Sequence, residues 1–516
     1  MCMEKNEVSI VKKSASISLL VVFGKVLGFV KQAVVARAFG SNGLTDVFFA
    51  ADGYASMFGQ IMTQTVGPTV LTQYIHVDER GDHEGAKRLV RESYLFFIVL
   101  SLVLIAINTI FADQICEVIG ISYSRDQLSE LKYFLIAMLP VILFTTMIGV
   151  SSGYLDSYNH YLPGRLTTFF FSVSIITFVL LFEKKLFLRS LLYGFMLGYF
   201  LHMVLMLWLV VPKVGIGISN PFRNPVFISM MKRFLPLVIG FSVVDLGHLV
   251  DKIVASSLES GSVSSLYYGQ AASSDIVSSV IVTSVGSVLL TSITKNVASK
   301  TSINEIKAKV QNISSIMTFI IIGINALYIV EGSDLIRFLF QRGKFDGDNT
   351  TSVTTVALYY SIGFIFTANR DILVKTHYAF HDTKSPMINS IAGVGLNVIL
   401  SIALSRLIGV SGVALATSIS MIFVFVLSTI TLKKHIHGYI IERDFWFDCL
   451  KSLLAFCVSL AIGKGLFTIM SNSHYFLRLV VIGVTMCIVH FLAGAAIKEK
   501  AAQVIVEKGK SILIRR

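Results

Sequence analysis

The chain has 516 residues, of which 54% are hydrophobic and 15% charged, with a mean hydropathy of +0.74 and a formal charge of +13. Soluble domains carry about 25% charged residues, so an ordinary soluble enzyme is excluded and most of the chain belongs in a bilayer. Nucleic acid is not indicated either: no Lys/Arg-rich tract is interleaved with aromatics, and the basic residues sit between hydrophobic runs.

The polar, basic start, Met1 to Ser16, runs into a long apolar stretch without an Ala-x-Ala-like cleavage site, so it is expected to be retained as the first helix. Runs of about 20 apolar residues, enough to cross a hydrocarbon core, recur to the C-terminus. They fall near 15–38, 46–73, 92–112, 131–155, 164–182, 187–211, 232–257, 263–291, 311–331, 351–378, 386–405, 411–432, 447–470 and 474–497. The expected fold is all-α and polytopic, with about fourteen transmembrane helices.

Alternating the connections between the two sides puts Lys12, Lys13, Arg80, Lys87, Arg88, Arg91, Lys213, Arg223, Lys232 and Arg233 on one side. Lys295, Lys300, Lys307, Lys309, Lys433, Lys434, Arg443 and the basic tail to Arg516 follow them. The positive-inside rule makes that side, and both termini, cytoplasmic. Lys184, Lys185 and Arg189 break the trend by falling outside. The longest outer connections, near 113–130 and 332–350, are too short for a catalytic domain, which disfavours a membrane glycosyltransferase or polymerase; no enzyme activity is expected. Cys2, Cys116, Cys449, Cys457 and Cys487 show neither CxxC nor metal-ligand spacing and read as structural.

A weak internal repeat lays the first two helices on the seventh and eighth. With a shift of 219, Val34-Val35-Ala36 falls on Ile253-Val254-Ala255, Ser41 on Ser260, and Phe48-Phe49 on Tyr267-Tyr268. Six helices per copy give both the same orientation. The domain organisation is therefore an N-terminal lobe over 1–215, a C-terminal lobe over 216–438, and two additional helices with a tail over 439–516.

Ionisable groups inside membrane helices are costly unless they face water or a partner, so each is a candidate site. Lys25, Gly28 and Gln32 share one face of the first helix, with Lys31 about a third of a turn away. Gly24 and Gly28 form a small-xxx-small pair that permits a tight helix contact. The second helix carries Asp46 and Asp52, then a polar stripe of Gln60, Thr63, Gln64 and Gly67 before Pro68. A cavity lining accounts for that stripe, and interhelical hydrogen bonding is its bland alternative; for Asp46 the bland role is a helix N-cap.

The seventh helix aligns Asp245, His248 and Lys252 with Asp251 alongside. One helix offers too few well-directed ligands for a metal, so these are read as a titratable lining in which Asp245, His248 or Asp251 binds a coupling proton. In the tenth helix Arg370, Asp371 and Lys375 add charge, with Asp371 and Lys375 spaced to pair. The substrate-binding candidates are thus Lys25, Lys31, Asp46, Gln60, Gln64, Lys252, Arg370 and Lys375. No metal or cofactor is expected. A cationic, hydrated cleft suits an anionic head group whose lipid tail stays in the bilayer.

At these residues the sequence resembles the MurJ/MviN family, the lipid II flippases of the multidrug/oligosaccharidyl-lipid/polysaccharide superfamily. The segments that carry the resemblance are Gly24 to Lys31 with Ala36-Arg37-Ala38-Phe39-Gly40, then Thr45 to Ala50, Gly261-Ser262-Val263-Ser264 with Tyr267-Tyr268, Arg342-Gly343-Lys344-Phe345-Asp346, and Tyr378 to Pro386. The resemblance implies fourteen helices, a V-shaped pair of lobes working by alternating access, and a cationic central cavity for an undecaprenyl-diphosphate-linked saccharide. It places the family's first-helix cavity cations at Lys25 and Lys31 and its second-helix aspartate at Asp46. Two departures stand out: family basic residues fall here on Gly59 and Ala271.

The resemblance therefore implies a flippase for lipid II in the bacterial cytoplasmic (inner) membrane, serving peptidoglycan synthesis. Flippase activity on an O-antigen or exopolysaccharide repeat unit, and cation-coupled drug antiport, are the alternatives. Lipid-linked glycan and membrane lipid are the expected partners, with contacts to cell-wall or polysaccharide synthesis enzymes. Coupling to the membrane potential or an ion gradient is expected in place of a cofactor.

Overall fold

The computed structural model describes residues 23–217, 219–273, 293, 302–380, 382–436 and 443–503. Cys2, Lys12, Lys13, Lys295, Lys300, the later part of the expected eighth span and the basic tail beyond 503 lie outside them. Among the described residues all regular structure is helical, and ten helices are long and apolar enough to cross a membrane. The protein is an all-α, polytopic membrane protein.

The helices run α1 (23–39), α2 (Gly43–Asp78), α3 (His83–Ile110), α4 (Ala112–Ile119), α5 (Arg125–Met138), α6 (Val141–Ser157), α7 (Thr167–Leu186) and α8 (Leu188–Val214). They continue with α9 (Pro225–Ser256), α10 (Ser262–Ala272), α11 (Ile303–Phe340), α12 (Gly347–Ala379), α13 (Lys384–Ile408), α14 (Val410–Leu432), α15 (Arg443–Ile469) and α16 (Tyr475–Ala496). Local chemistry sets many of the boundaries. Asn42 and Ser124 close capping boxes on α2 and α5, and Asp82, Asn224, Ser302 and Asp346 accept from first-turn N–H groups. Gly409 separates α13 from α14 in a left-handed conformation, at φ +62°, which glycine adopts without strain.

Two expected loops are largely helical. The connection expected over 332–350 is helix up to Phe340 and again from Gly347. Asp334, which hydropathy alone pushed out of the span, is buried and takes a bidentate pair from Arg478 of α16, with Nη2 2.7 Å from Oδ1. The connection expected over 113–130 contains α4 and the first turns of α5. The basic exceptions to the positive-inside pattern also have local partners. Lys184 and Lys185 sit in the last turn of α7, where the helix dipole favours cations, and Arg189 lies 5.0 Å over the Tyr133 ring.

Two compact units emerge. The first comprises Met1–Ser264 together with Gly343–Phe345. Its core joins Met62, Val66 and Val70 of α2, Leu89 and Phe97 of α3, Met147 and Tyr154 of α6, Met206 and Val210 of α8, and Phe227 and Met230 of α9. In a bilayer apolar burial adds little drive for helix association, so close backbone approach matters more. Here glycines supply it: a Cβ on Gly153 of α6 would stand 2.6 Å from the Gly67 carbonyl oxygen of α2, and one on Gly194 of α8 2.7 Å from the Ile175 Cα of α7. Among the described residues the tight contact expected at Gly24 and Gly28 is not made. A Cβ at Gly24 would meet Thr168, at 3.8 Å, and one at Gly28 would have no described atom within 4 Å.

The second unit comprises Ser265–Arg342 and Asp346–Arg516. One of its cores gathers Ile306, Val310 and Met317 of α11, Ile372 and Leu373 of α12, and Leu432 and Ile436 at the end of α14. Elsewhere in the unit α15 and α16 pack on α11, where Ile482 and Met486 of α16 meet Ala326.

Candidate functional site

In the first unit, α1 presents two lysines in different settings. Lys25 is exposed, on the face that Gly28 leaves open. Lys31 is 8% exposed, and its ammonium lies 4.5 Å from the centre of the Phe171 ring of α7, a cation–π contact that offsets part of the cost of leaving water. The polar stripe on α2 is a surface in part: Gln60, Thr63 and Gln64 are exposed, as is Pro68, but Gly67 is buried against α6, and the opposite face, with Met62, Val66 and Val70, packs into the core. The Thr63 hydroxyl donates to the Gly59 carbonyl one turn back, leaving the two glutamine amides as the stripe's polar surface.

Asp46 is buried and does not line that surface. Its Oδ2 accepts from the Gly261 N–H at 2.6 Å, and its Oδ1 from the Ser264 N–H at 2.7 Å and the Ser264 hydroxyl. It caps the first turn of α10, while Asn42 caps its own helix. Around it, Ser41 Oγ donates to the Gly261 carbonyl at 3.0 Å and Thr45 Oγ1 shares a 2.8 Å hydrogen bond with Ser264 Oγ. Thr45 and Ser264 are separated by 219 positions, the shift that the sequence repeat requires. Equivalent positions of the two copies thus touch each other.

Two further family segments meet in the same unit. Gly343, at φ +63°, lies so close to Arg37 that a Cβ would come within 2.4 Å of the Arg37 carbonyl oxygen, and the Lys344 N–H donates to that carbonyl at 2.9 Å. The Lys344 ammonium sits 4.6 Å over the Phe187 ring, and Phe187 meets Phe39 edge-on. Nη2 of Arg37 also donates to both carboxylate oxygens of Glu183, at 3.0 Å each. Glu183 escaped sequence reading because nothing in its own helix marks it as a partner for α1.

On α9, Lys252 donates to the Phe49 carbonyl at 3.3 Å, lies against Gly53 of α2, and has Asp52 as its electrostatic partner. Asp245 has one buried carboxylate oxygen without a hydrogen bond, His248 is exposed and Asp251 is buried. Among the described residues these three do not converge as a metal-binding group. In the second unit, Arg370 turns its guanidinium onto the adjacent Asp371, at 2.6 Å, and onto Met421. Asp371 thereby takes a partner other than Lys375, which is half-buried. The positions where the family carries cations are packed: Gly59 is buried with Thr145 3.3 Å from where its Cβ would stand, and Ala271 is buried.

Comparison with known proteins places this arrangement. A family model described as "Lipid II flippase MurJ" matches residues 35–486. A probable lipid II flippase MurJ of Rhizobium tropici is 26% identical over 427 residues, covering 80% of this chain and 79% of that protein. A second, from Buchnera aphidicola subsp. Schizaphis graminum, is 25% identical over 424 residues, covering 80% and 81%. The solved structure titled "Lipid II flippase MurJ, inward closed conformation" shares the fold with a TM-score of 0.78 at 20% identity, covering 94% of this chain and 98% of its own. An inward-facing multidrug resistance MATE transporter of the MOP superfamily is similar more distantly, with a TM-score of 0.68 at 11% identity, covering 80% and 94%. With the family model spanning all but the ends of the sequence, the chain belongs to the lipid II flippase MurJ family.

Proposed function

We propose that the protein moves undecaprenyl-diphosphate-linked lipid II from the inner to the outer leaflet of the bacterial cytoplasmic membrane by alternating access. The observation that carries this reading is the match of residues 35–486 to the flippase family. The physical setting supports it. A diphosphate cannot enter hydrocarbon unpaired, and the first unit offers Lys25 on an open helix face, Lys31 further along the same helix and packed on Phe171, and the exposed amides of Gln60 and Gln64. These groups replace water around an anionic head group while the polyprenyl tail remains in lipid. Both termini are cytoplasmic in this reading, and synthesis enzymes on either side hand over and receive the cargo. The membrane potential, worth about 2.3 kcal/mol per charge per 100 mV, resets the net-cationic empty carrier, and Asp245, His248 and Asp251 are the candidates for coupling it to protons.

The packed states of Gly59 and Ala271 favour a second reading, in which the cargo is an O-antigen or exopolysaccharide unit on the same lipid carrier. Rescue of a strain depleted of its lipid II flippase distinguishes the two. Growth on expression of this chain supports lipid II. Lysis despite membrane-inserted protein, together with transport of another polyprenyl-diphosphate glycan in vesicles, selects the second. In either case the Lys25→Ala/Lys31→Ala double variant is expected to lose transport while eluting as folded protein in detergent. Undiminished transport by that variant removes the cationic site from the mechanism.

A further inference from the structure

We propose that His377, Asp382 and His435 form a binding site for a divalent transition metal of the zinc type, which fastens three helices of the second unit together. His377 stands in the last turn of α12, Asp382 in the short connection to α13, and His435 just past the end of α14. Their ligand atoms all lie within 4.8 Å of one another. His377 Nδ1 is 3.1 Å and His435 Nε2 2.9 Å from the same oxygen, Oδ2 of Asp382. Tetrahedral zinc with bonds near 2.0–2.1 Å holds its ligand atoms about 3.3 Å apart, so the two nitrogen–oxygen separations need to open by only a few tenths of an ångström and the two imidazoles to close on each other by rotamer adjustment. Two imidazoles and a carboxylate suit zinc-type metals and leave a fourth position for water.

The surroundings of His377 fit a metal ligand. His377 is buried, and its Nε2 lies 3.4 Å from the Ser428 carbonyl and 3.2 Å from Thr431 Oγ1. Donation from Nε2 to the Ser428 carbonyl would leave the Nδ1 lone pair for a metal. Nδ1 lies 3.1 Å from Asp382 Oδ2, on the side where a metal would sit. Donation of the far nitrogen to a backbone carbonyl is also the usual way in which a metal-binding histidine is oriented.

The remaining contacts agree. Oδ1 of Asp382 is occupied by the Ser385 N–H at 3.0 Å, so Oδ2 alone faces the histidines. Lys434 Nζ at 2.8 Å and His435 Nε2 at 2.9 Å both face Oδ2 of Asp382. The C-terminal ends of α12 and α14, whose last carbonyls carry partial negative charge, both approach the site. Lys434, half-exposed with its ammonium 2.8 Å from Oδ2, supplies the positive charge here and would be displaced by metal.

The test uses the full-length protein in detergent, freed of any polyhistidine tag and treated with chelator, then titrated with Zn2+ and with Co2+ as a spectroscopic probe. One equivalent is expected to bind, with Co2+ giving visible absorption of nitrogen/oxygen coordination. His435→Ala is expected to weaken binding at least about tenfold, and Asp382→Asn similarly. Lys434→Gln is expected to tighten it by removing the competing ammonium, an effect that a purely structural ion pair does not produce. Because Lys434 and His435 lie at the surface end of α14, their variants report even where Asp382→Asn fails to fold. Absence of stoichiometric binding by the parent protein, equal affinity in the His435→Ala variant, or sulfur ligation by X-ray absorption at the zinc edge each overturns the proposal.

Discussion

At the scale of single residues, Asp46 shows how a charged side chain survives in a membrane helix. It accepts from two backbone N–H groups 215 and 218 positions away and from a hydroxyl, so its charge is met by donors that would otherwise be unsatisfied at a helix start. Asn at this position keeps one acceptor but turns an amide N–H₂ toward the second donor. Asp46→Asn is therefore expected to cost about 2 kcal/mol, read as a lower melting temperature in detergent; an unchanged melting temperature would refute the capping role. Sequence reading gave Asp46 both a cavity role and a capping role, and the structure shows it capping. What it could not show was that the capped helix is α10 rather than α2, because a hydrogen bond across 215 residues leaves no local signature. Lys25 and the glutamine stripe were readable because a polar residue repeating at helical spacing in an apolar run has to face something other than lipid.

At the scale of helices, positions were legible and contacts were not. Hydropathy located the spans because desolvating charge dominates every other term in a bilayer, and charged residues with buried partners, such as Asp334, account for the misplaced ends. Helix packing depends on which of several small-residue faces meets a neighbour, and sequence lists the faces without choosing among them. Gly24 and Gly28 form a plausible pair that makes no close contact among the described residues, whereas Gly149 and Gly153 carry the contact of α6 with α2. Gly153→Leu puts a branched side chain where even a Cβ stands 2.6 Å from the Gly67 carbonyl and 2.8 Å from Val70. Overpacking of this kind costs typically 1–3 kcal/mol or more. The variant should show a lower melting temperature or reduced insertion, while Gly28→Leu, at the open face, should leave stability unchanged. Similar melting temperatures for the two variants would mean that close approach at Gly153 is not what holds the pair.

At the scale of the molecule, the first unit is completed by three residues from late in the sequence, Gly343–Phe345. They return to the end of α1 as a backbone clasp: the Lys344 N–H on the Arg37 carbonyl, its ammonium on Phe187, and Phe345 fully buried. This explains physically why Ala36 to Gly40 and Arg342 to Asp346 belong to one signature although some three hundred residues separate them. Gly343 is where the clasp is most constrained, since a left-handed φ of +63° and a Cβ only 2.4 Å from the Arg37 carbonyl oxygen both demand glycine. Gly343→Ala is therefore expected to release the segment rather than be absorbed by it. The readout is proteolysis near residue 343 in membranes, which should rise in the variant, alongside a fall in transport at equal protein level. Gly347→Ala, four residues on, has open space for its Cβ and serves as the control. If Gly343→Ala matched that control in both protease resistance and transport, the clasp would be incidental to the fold and to the transport cycle.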